Sequence, residues 1–227
     1  MTAGRDHLAL ALDVGGLPEA LALAERLHPW FATAKVGLEL YAEAGPEAFD
    51  RLHELQFAVF ADLKLHDIPN TVERAARALG RRGVEFLNFH AAGGVEMLRG
   101  AVNGYREGAV AGGHPAPIAL GVTVLTSDAN TDALVERLDW SRDAGCDGVV
   151  CAASDIAAAR ERALRTMVPG VRLPGGDAHD QARITTPADA IERGADWLVV
   201  GRAVTAAADP ERAAADVCAM VEAAATP

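Results

Sequence analysis

Phe57-Ala58-Val59-Phe60-Ala61-Asp62-Leu63-Lys64-Leu65-His66-Asp67-Ile68-Pro69-Asn70-Thr71-Val72 begins as an apolar run and turns into a helix start. Residues 57–64 read as a buried parallel strand, and residues 70–81 as an amphipathic helix. The same succession recurs on both sides. Strands are expected near 7–13, 33–38, 84–90, 117–125, 147–152, 166–170 and 197–202. Helices are expected near 17–28, 46–55, 94–108, 131–144, 155–164, 187–193 and 210–224. Pro46, Pro187 and Pro210 suit first helical turns, with Thr186 and Asp209 as caps before two of them. Gly80, Gly83, Gly145 and Gly194 stand where helices should stop. Alternating β and α points to a parallel sheet. Eight such units fit a closed (β/α)8 barrel, the TIM barrel, better than an open sheet. No linker, composition break or low-complexity tract interrupts them, so residues 1–227 read as one domain. In such a barrel the active site lies at the carboxyl ends of the strands.

Composition narrows the function. Of 227 residues, 50% are hydrophobic but only 5% aromatic, so the core is built from Ala, Val, Leu and Ile. The net charge of −11 argues against a general nucleic-acid binder, whose affinity rests on neutralising phosphates. It leaves room for a small phosphorylated ligand held by a few local cations. Cys146, Cys151 and Cys218 have no C-x-x-C spacing, which gives neither a disulfide framework nor a zinc ribbon. No signal peptide is visible, and no apolar stretch approaches the roughly 20 residues that span a bilayer. The expectation is a cytoplasmic chain without a membrane partner.

The polar residues at strand ends carry the chemistry. The two-residue period of a strand puts Asp62 and Lys64 on one face, with Leu63 outward. Asp67 adds a carboxylate just past the strand. Lys35 interrupts the apolar run of the second strand. Each has a plain structural reading: an ion pair at a strand terminus, or a lysine reaching to the rim. Together they make an alternating array of two cations and two anions, and opposite charges in a barrel mouth are costly unless paired or used. Asp13 ends the first strand and either joins a site or caps the turn into the first helix. On the far side, Pro169-Gly170-Val171-Arg172, the loop at 173–181 and Gly201-Arg202 follow the seventh and eighth strands. That is the usual barrel phosphate region, and Arg172 and Arg202 add charged donors. His90, Thr123, Thr126 and Ser127 are weaker candidates. No nucleophile elbow, P-loop or dinucleotide fingerprint appears.

Six segments carry a resemblance: LALALDV (8–14), AKVGLELY (34–41), FADLKLHDIPNTV (60–72), NFHAAGG (88–94), LGVTVLTS (120–127) and the long run from Val168 to Thr205. In this order, over nearly the whole chain, they resemble the bacterial orotidine 5′-phosphate decarboxylases. A bare D-x-K-x-x-D occurs also in sister barrels acting on sugar phosphates. The continuation Ile68-Pro69-Asn70-Thr71 separates the two.

The resemblance implies conversion of orotidine 5′-monophosphate to uridine 5′-monophosphate (UMP) and carbon dioxide, in pyrimidine biosynthesis, without metal or organic cofactor. It implies that Lys64 is the catalytic acid and Asp62 the carboxylate beside the departing group. Lys35 and Asp67 complete the tetrad, with Asp67 reaching in from the other subunit of a homodimer with shared active sites. Ile68 and Thr71 then line the partner's site, and Asp13 contacts the ribose. Thr126 and Ser127 meet the pyrimidine edge, while Arg172, Gln181, Gly201 and Arg202 grip the phosphate. A magnesium-dependent sister enzyme would need a further acidic ligand, for which Glu39 is available. A non-catalytic nucleotide-binding barrel would have no use for the charge array.

Overall fold

A computed structural model describes residues 3–125, 128, 130–173 and 185–225. Eight parallel strands close into a barrel in sequence order: β1 (Leu8–Ala11), β2 (Thr33–Val36), β3 (Ala58–Leu65), β4 (Phe86–His90), β5 (Ile118–Val122), β6 (Gly148–Val150), β7 (Arg165–Val168) and β8 (Trp197–Val200). Parallel pairing of β8 with β1 completes the ring. Around it run α1 (Leu17–Leu27), α2 (Leu38–Ala44), α3 (Glu47–Glu54), α4 (Pro69–Gly80), α5 (Gly94–Gly112), α6 (Leu134–Asp143), α7 (Ile156–Arg160), α8 (Pro187–Glu192), α9 (Arg202–Thr205) and α10 (Pro210–Ala225). Among the described residues, no helix is long and apolar enough to cross a membrane.

Side-chain size alternates along β1. Leu8, Leu10 and Leu12 pack outward into the layer between barrel and helices, while Ala9 and Ala11 face inward. The interior is filled by Phe60, Phe86, Leu120, Val122, Val150, Met167 and Val199. Small residues on one strand thus make room for large ones on others, as in the layered core of such barrels.

The two expected caps are present: Thr186 Oγ1 accepts the Asp189 N–H at 3.1 Å, and Asp209 Oδ1 that of Arg212 at 3.0 Å. Two expectations are corrected. Residue 38 does not end a strand. β2 stops at Val36, and Leu38 opens the extra helix α2, which Gly45 at φ 59° ends before Pro46 and α3. Asp13 does not cap α1, whose N-cap is Gly16 without a side-chain bond.

Two regularities of the fold were not read from the sequence. Gly83-Val84-Glu85, Gly145-Cys146-Asp147 and Gly194-Ala195-Asp196 precede β4, β6 and β8, each glycine at positive φ. Each acid reaches sideways to the second residue of the preceding strand. Glu85 accepts the Val59 N–H at 2.6 Å, Asp147 that of Ala119 at 2.9 Å and Asp196 that of Thr166 at 2.8 Å. The second regularity is on α5, where Gly100, Gly104, Gly108 and Gly112 recur every four residues and face α4. A Cβ on Gly104 would overlap the Glu73 carbonyl oxygen, and one on Gly108 that of Arg77, so only hydrogen lets the two backbones come this close.

Candidate active site

At the carboxyl ends of the strands lies a cavity of about 340 Å³. Its floor is apolar, made by Ala11, Phe60, Val122, Val150 and Val199. Its walls carry two groups of polar residues, one from β1–β3 and one from the loops after β7 and β8.

The first group is a chain of alternating charges. Ala11, Lys35 and Phe60 are in register across β1, β2 and β3. Asp13, two residues past the end of β1, and Asp62, two residues further along β3, stand one layer nearer the mouth. The Lys35 side chain is long enough to rise to both. Its Nζ lies 2.8 Å from Asp13 Oδ1 and 3.3 Å from Asp62 Oδ2. Lys64 Nζ then meets Asp62 Oδ1 at 2.6 Å. Exposure rises from Lys35 toward Lys64: the Lys35 side chain is 7% exposed, Asp62 16% and Lys64 30%, while Asp13 on the other side of Lys35 is 57% exposed.

Burial alone would push the Lys35 ammonium toward losing its proton. Asp62 and Asp13 outweigh that, and its pKa is held above the ordinary lysine value. Burial would likewise raise the Asp62 carboxyl. Lys35 and Lys64, with hydrogen bonds from Lys64 and Asn88, hold it below the ordinary value instead. Both groups are therefore charged at neutral pH inside a mouth floored by hydrocarbon, where a charge acts over a longer range than in water.

The second group is Gly170, Arg172, Gly201 and Arg202, which line the same cavity from the β7 and β8 side. Gly170 takes φ 79°. Arg172 is almost wholly buried, and its backbone N–H donates to Thr185 O at 3.0 Å, tying the start of the β7 loop to its end. Two guanidinium groups and two ammonium groups lining one cavity make it suited to an anionic ligand.

The structure thus brings Asp13, Lys35, Asp62, Lys64, Arg172, Gly201 and Arg202 together. It does not bring Asp67, Ile68 or Thr71 to the cavity of their own chain. These lie exposed at the β3–α4 junction; Ile68 is 66% exposed, and Asp67 Oδ1 accepts only the neighbouring Ile68 N–H among the bonds seen, at 2.6 Å. Thr126, Ser127 and Gln181 lie outside the described residues. Glu39 sits exposed on α2 and is not part of the cavity wall. Half-buried His90 stands beside His66, ring centres 5.6 Å apart. Burial first, then the neighbouring His66, Lys64 and Arg137, push its pKa below the usual histidine value.

Two contributors escaped the sequence reading. Gly37 follows β2, and a Cβ there would lie 2.8 Å from Asp13 Oδ1 and 3.1 Å from Lys35 Nζ, in the way of their ion pair. Asn88 is fully buried and donates to Asp62 Oδ1 at 2.7 Å. Its signal was available: a polar residue at an inward position of Phe86-Leu87-Asn88-Phe89-His90.

Comparison with known proteins places the chain in a family. Orotidine 5′-phosphate decarboxylase of Moorella thermoacetica is 46% identical over 235 aligned positions, covering 96% of this chain and 93% of that protein. The enzyme of the same name from Halorhodospira halophila is 44% identical, covering 97% and 98%. Among solved structures, orotidine 5′-phosphate decarboxylase from Lactobacillus acidophilus superposes with a TM-score of 0.78 at 31% identity, covering 94% of this chain and 98% of that one. An uncharacterized conserved protein from Geobacillus kaustophilus does so with 0.77 at 34%, covering 94% and 99%. The model of the orotidine 5′-phosphate decarboxylase / HUMPS family matches residues 6–217, and the chain belongs to that family.

Proposed function

We infer that this chain decarboxylates orotidine 5′-monophosphate to UMP in pyrimidine biosynthesis, using its own side chains and no cofactor. The observation that carries the reading is the Asp13–Lys35–Asp62–Lys64 array on an apolar floor, in one cavity with two arginines. The bond between carbon 6 of the pyrimidine and the carboxylate breaks. Carbon dioxide leaves, and the electron pair stays on carbon 6. The Lys64 ammonium faces that developing charge, then gives it a proton and becomes a neutral amine. At 30% exposure it regains the proton from water once product leaves.

Fixed charges aimed at where charge develops are the largest catalytic term in many enzymes. Here the Lys35–Asp62 contact holds Asp62 in place, and Asp62 holds Lys64. Arg172 and Arg202 bind the phosphate, and remote binding energy of this kind can be used to orient the reacting ring. The ribose lies against Asp13. Thr126 and Ser127 on the pyrimidine side, and Gln181 on the phosphate side, complete the substrate contacts in this reading.

The reading also takes the enzyme to be a cytoplasmic homodimer. The exposed run Asp67, Ile68, Thr71 then enters the partner's cavity, and Asp67 completes the tetrad with Lys35, Asp62 and Lys64. Its test is subunit mixing. Lys64→Ala and Asp67→Ala proteins, each inactive alone, regain activity on mixing because one site per mixed dimer is free of both changes. No recovery despite demonstrated exchange would return Asp67 to its own subunit.

The whole reading is tested by following orotidine 5′-monophosphate absorbance with wild type and Lys64→Ala in excess EDTA. Turnover by wild type alone is expected. Silence from folded wild type would overturn it.

A further inference from the structure

The β3–β4 ladder breaks beside the charge array. Ala61 pairs with Leu87, and the next pair is Leu65 with Phe89. Three residues of β3, Asp62 to Lys64, therefore stand against one residue of β4, Asn88. A bulge of this kind bends its strand and leaves backbone groups without a ladder partner. Here the partner is a side chain. Asn88 Oδ1 accepts the Lys64 backbone N–H at 2.7 Å, and Asn88 Nδ2 donates to Asp62 Oδ1 at 2.7 Å. Lys64 sits at φ 48°, in the left-handed region that a residue with a side chain keeps only when its surroundings hold it there. The Asn88 side chain is wholly buried, so water does not substitute for either bond.

We propose that Asn88 is the positioning residue of this active site, holding the bulge so that the Lys64 ammonium and the Asp62 carboxylate keep their reacting geometry. The proposal deepens the decarboxylase reading and rests on it. The site needs one donor and one acceptor on the same short side chain, and asparagine has both. Aspartate keeps the acceptor but replaces the donor with a like charge facing Asp62. Alanine loses both and strands a buried N–H. Asp62 is faced by Lys35 from β2, Lys64 from its own strand and Asn88 from β4, so loss of Asn88 leaves its Oδ1 oriented by Lys64 alone. A proton donor displaced by about 1 Å loses on the order of 100-fold in rate.

The experiment compares wild type, Asn88→Ala and Asn88→Asp in orotidine 5′-monophosphate turnover, UMP titration and the pH profile of kcat. Both variants are expected to lose on the order of 100-fold in kcat, with KM and the UMP dissociation constant close to wild type. In Asn88→Asp the acid limb of the profile moves to higher pH, because a neighbouring carboxylate favours protonation. Wild-type kcat in Asn88→Ala would overturn the proposal. So would parallel losses of kcat and UMP binding with an unmoved acid limb, the pattern of a merely structural residue. Wild type silent on the nucleotide would take the decarboxylase reading down as well, whereas active wild type beside equally active variants takes down this proposal alone.

Discussion

At the lower rim of the barrel, Glu85, Asp147 and Asp196 each accept one backbone N–H from the strand before them. At the upper rim, Asp13 and Asp62 accept lysine ammonium groups instead. The residue types overlap, yet the physics differs. Each lower carboxylate satisfies a neutral backbone donor at the strand start, with Asp147 also reaching Arg106 and Glu85 reaching His53 at the surface, and the gain is stability. Charge-to-neutral bonds of this sort contribute about 1.5–3 kcal/mol each. At the upper rim Asp62 sits between two cations over an apolar floor, and Asp13 meets Lys35 from the exposed side. Removing those charges from water offsets much of what their attraction returns, so a buried ion array is weak evidence for stability. What it provides is a field already in place before the substrate arrives. On this contrast the lower rim serves the barrel's stability, and in the proposed function the upper rim serves the reaction.

Substitutions can break this contrast. The largest expected effect is at the upper rim. Lys35→Ala removes the cation shared by Asp13 and Asp62, and kcat/KM on orotidine 5′-monophosphate should fall by about 10²–10³-fold, read in steady-state assays. A loss under tenfold would show that Lys35 stands outside the working array. Next is the lower rim, where Asp196→Ala should leave kcat at its wild-type value and lower unfolding free energy by about 2 kcal/mol. For a chain of this size that is about 6 °C in Tm, read by thermal denaturation. A large kcat loss there with unchanged Tm would reverse the assignment of the two ends.

Smaller effects come from pH and sharpen the contrast. The Asp62 carboxyl is held below its ordinary value, so its contribution to stability is present above its unfolded-state pKa, near 4, and is lost as pH falls through the lower folded value. Asp62→Asn should remove that part of the acid slope in urea unfolding at pH 2–5, and an unchanged slope would contradict the pairing. The smallest effect belongs to the lower rim. The Glu85 carboxylate, through its hydrogen bond, holds His53 above the usual histidine value. The sign is therefore opposite. That contribution is present below about pH 6.5 and is lost as pH rises through the folded pKa. At a partly exposed pair it amounts to a few tenths of a kcal/mol. His53→Gln should flatten the difference in stability between pH 5.5 and 8.5, and no change would mean that the pair is screened.

Much of this molecule was legible in order of sequence. Alternating apolar runs and amphipathic stretches report the barrel because each strand must be buried on both faces and each helix on one. The two-residue strand period places Asp62 and Lys64 on one face, and the order of the units puts Arg172 and Arg202 after the adjacent seventh and eighth strands. Asp13 was ambiguous in the sequence, because a carboxylate after a strand serves equally as a helix cap. Only the position of Lys35, 22 residues away and one strand over, resolves it.

The sequence by itself determined what depends on neighbours along the chain: the eight units, the inward charges and the motif DLKLHDIPNT. Tertiary structure decided what depends on register between strands and on distance between backbones. Asn88 became part of the site because β3 carries three residues where β4 has one. Gly37 did so because the Asp13–Lys35 pair occupies the space of its missing side chain, and the α5 glycines because α4 lies against them. The same holds for Glu85, Asp147 and Asp196, whose donors sit on the adjacent strand. A local pattern says which way a side chain points, and closure of the barrel sets what it meets there.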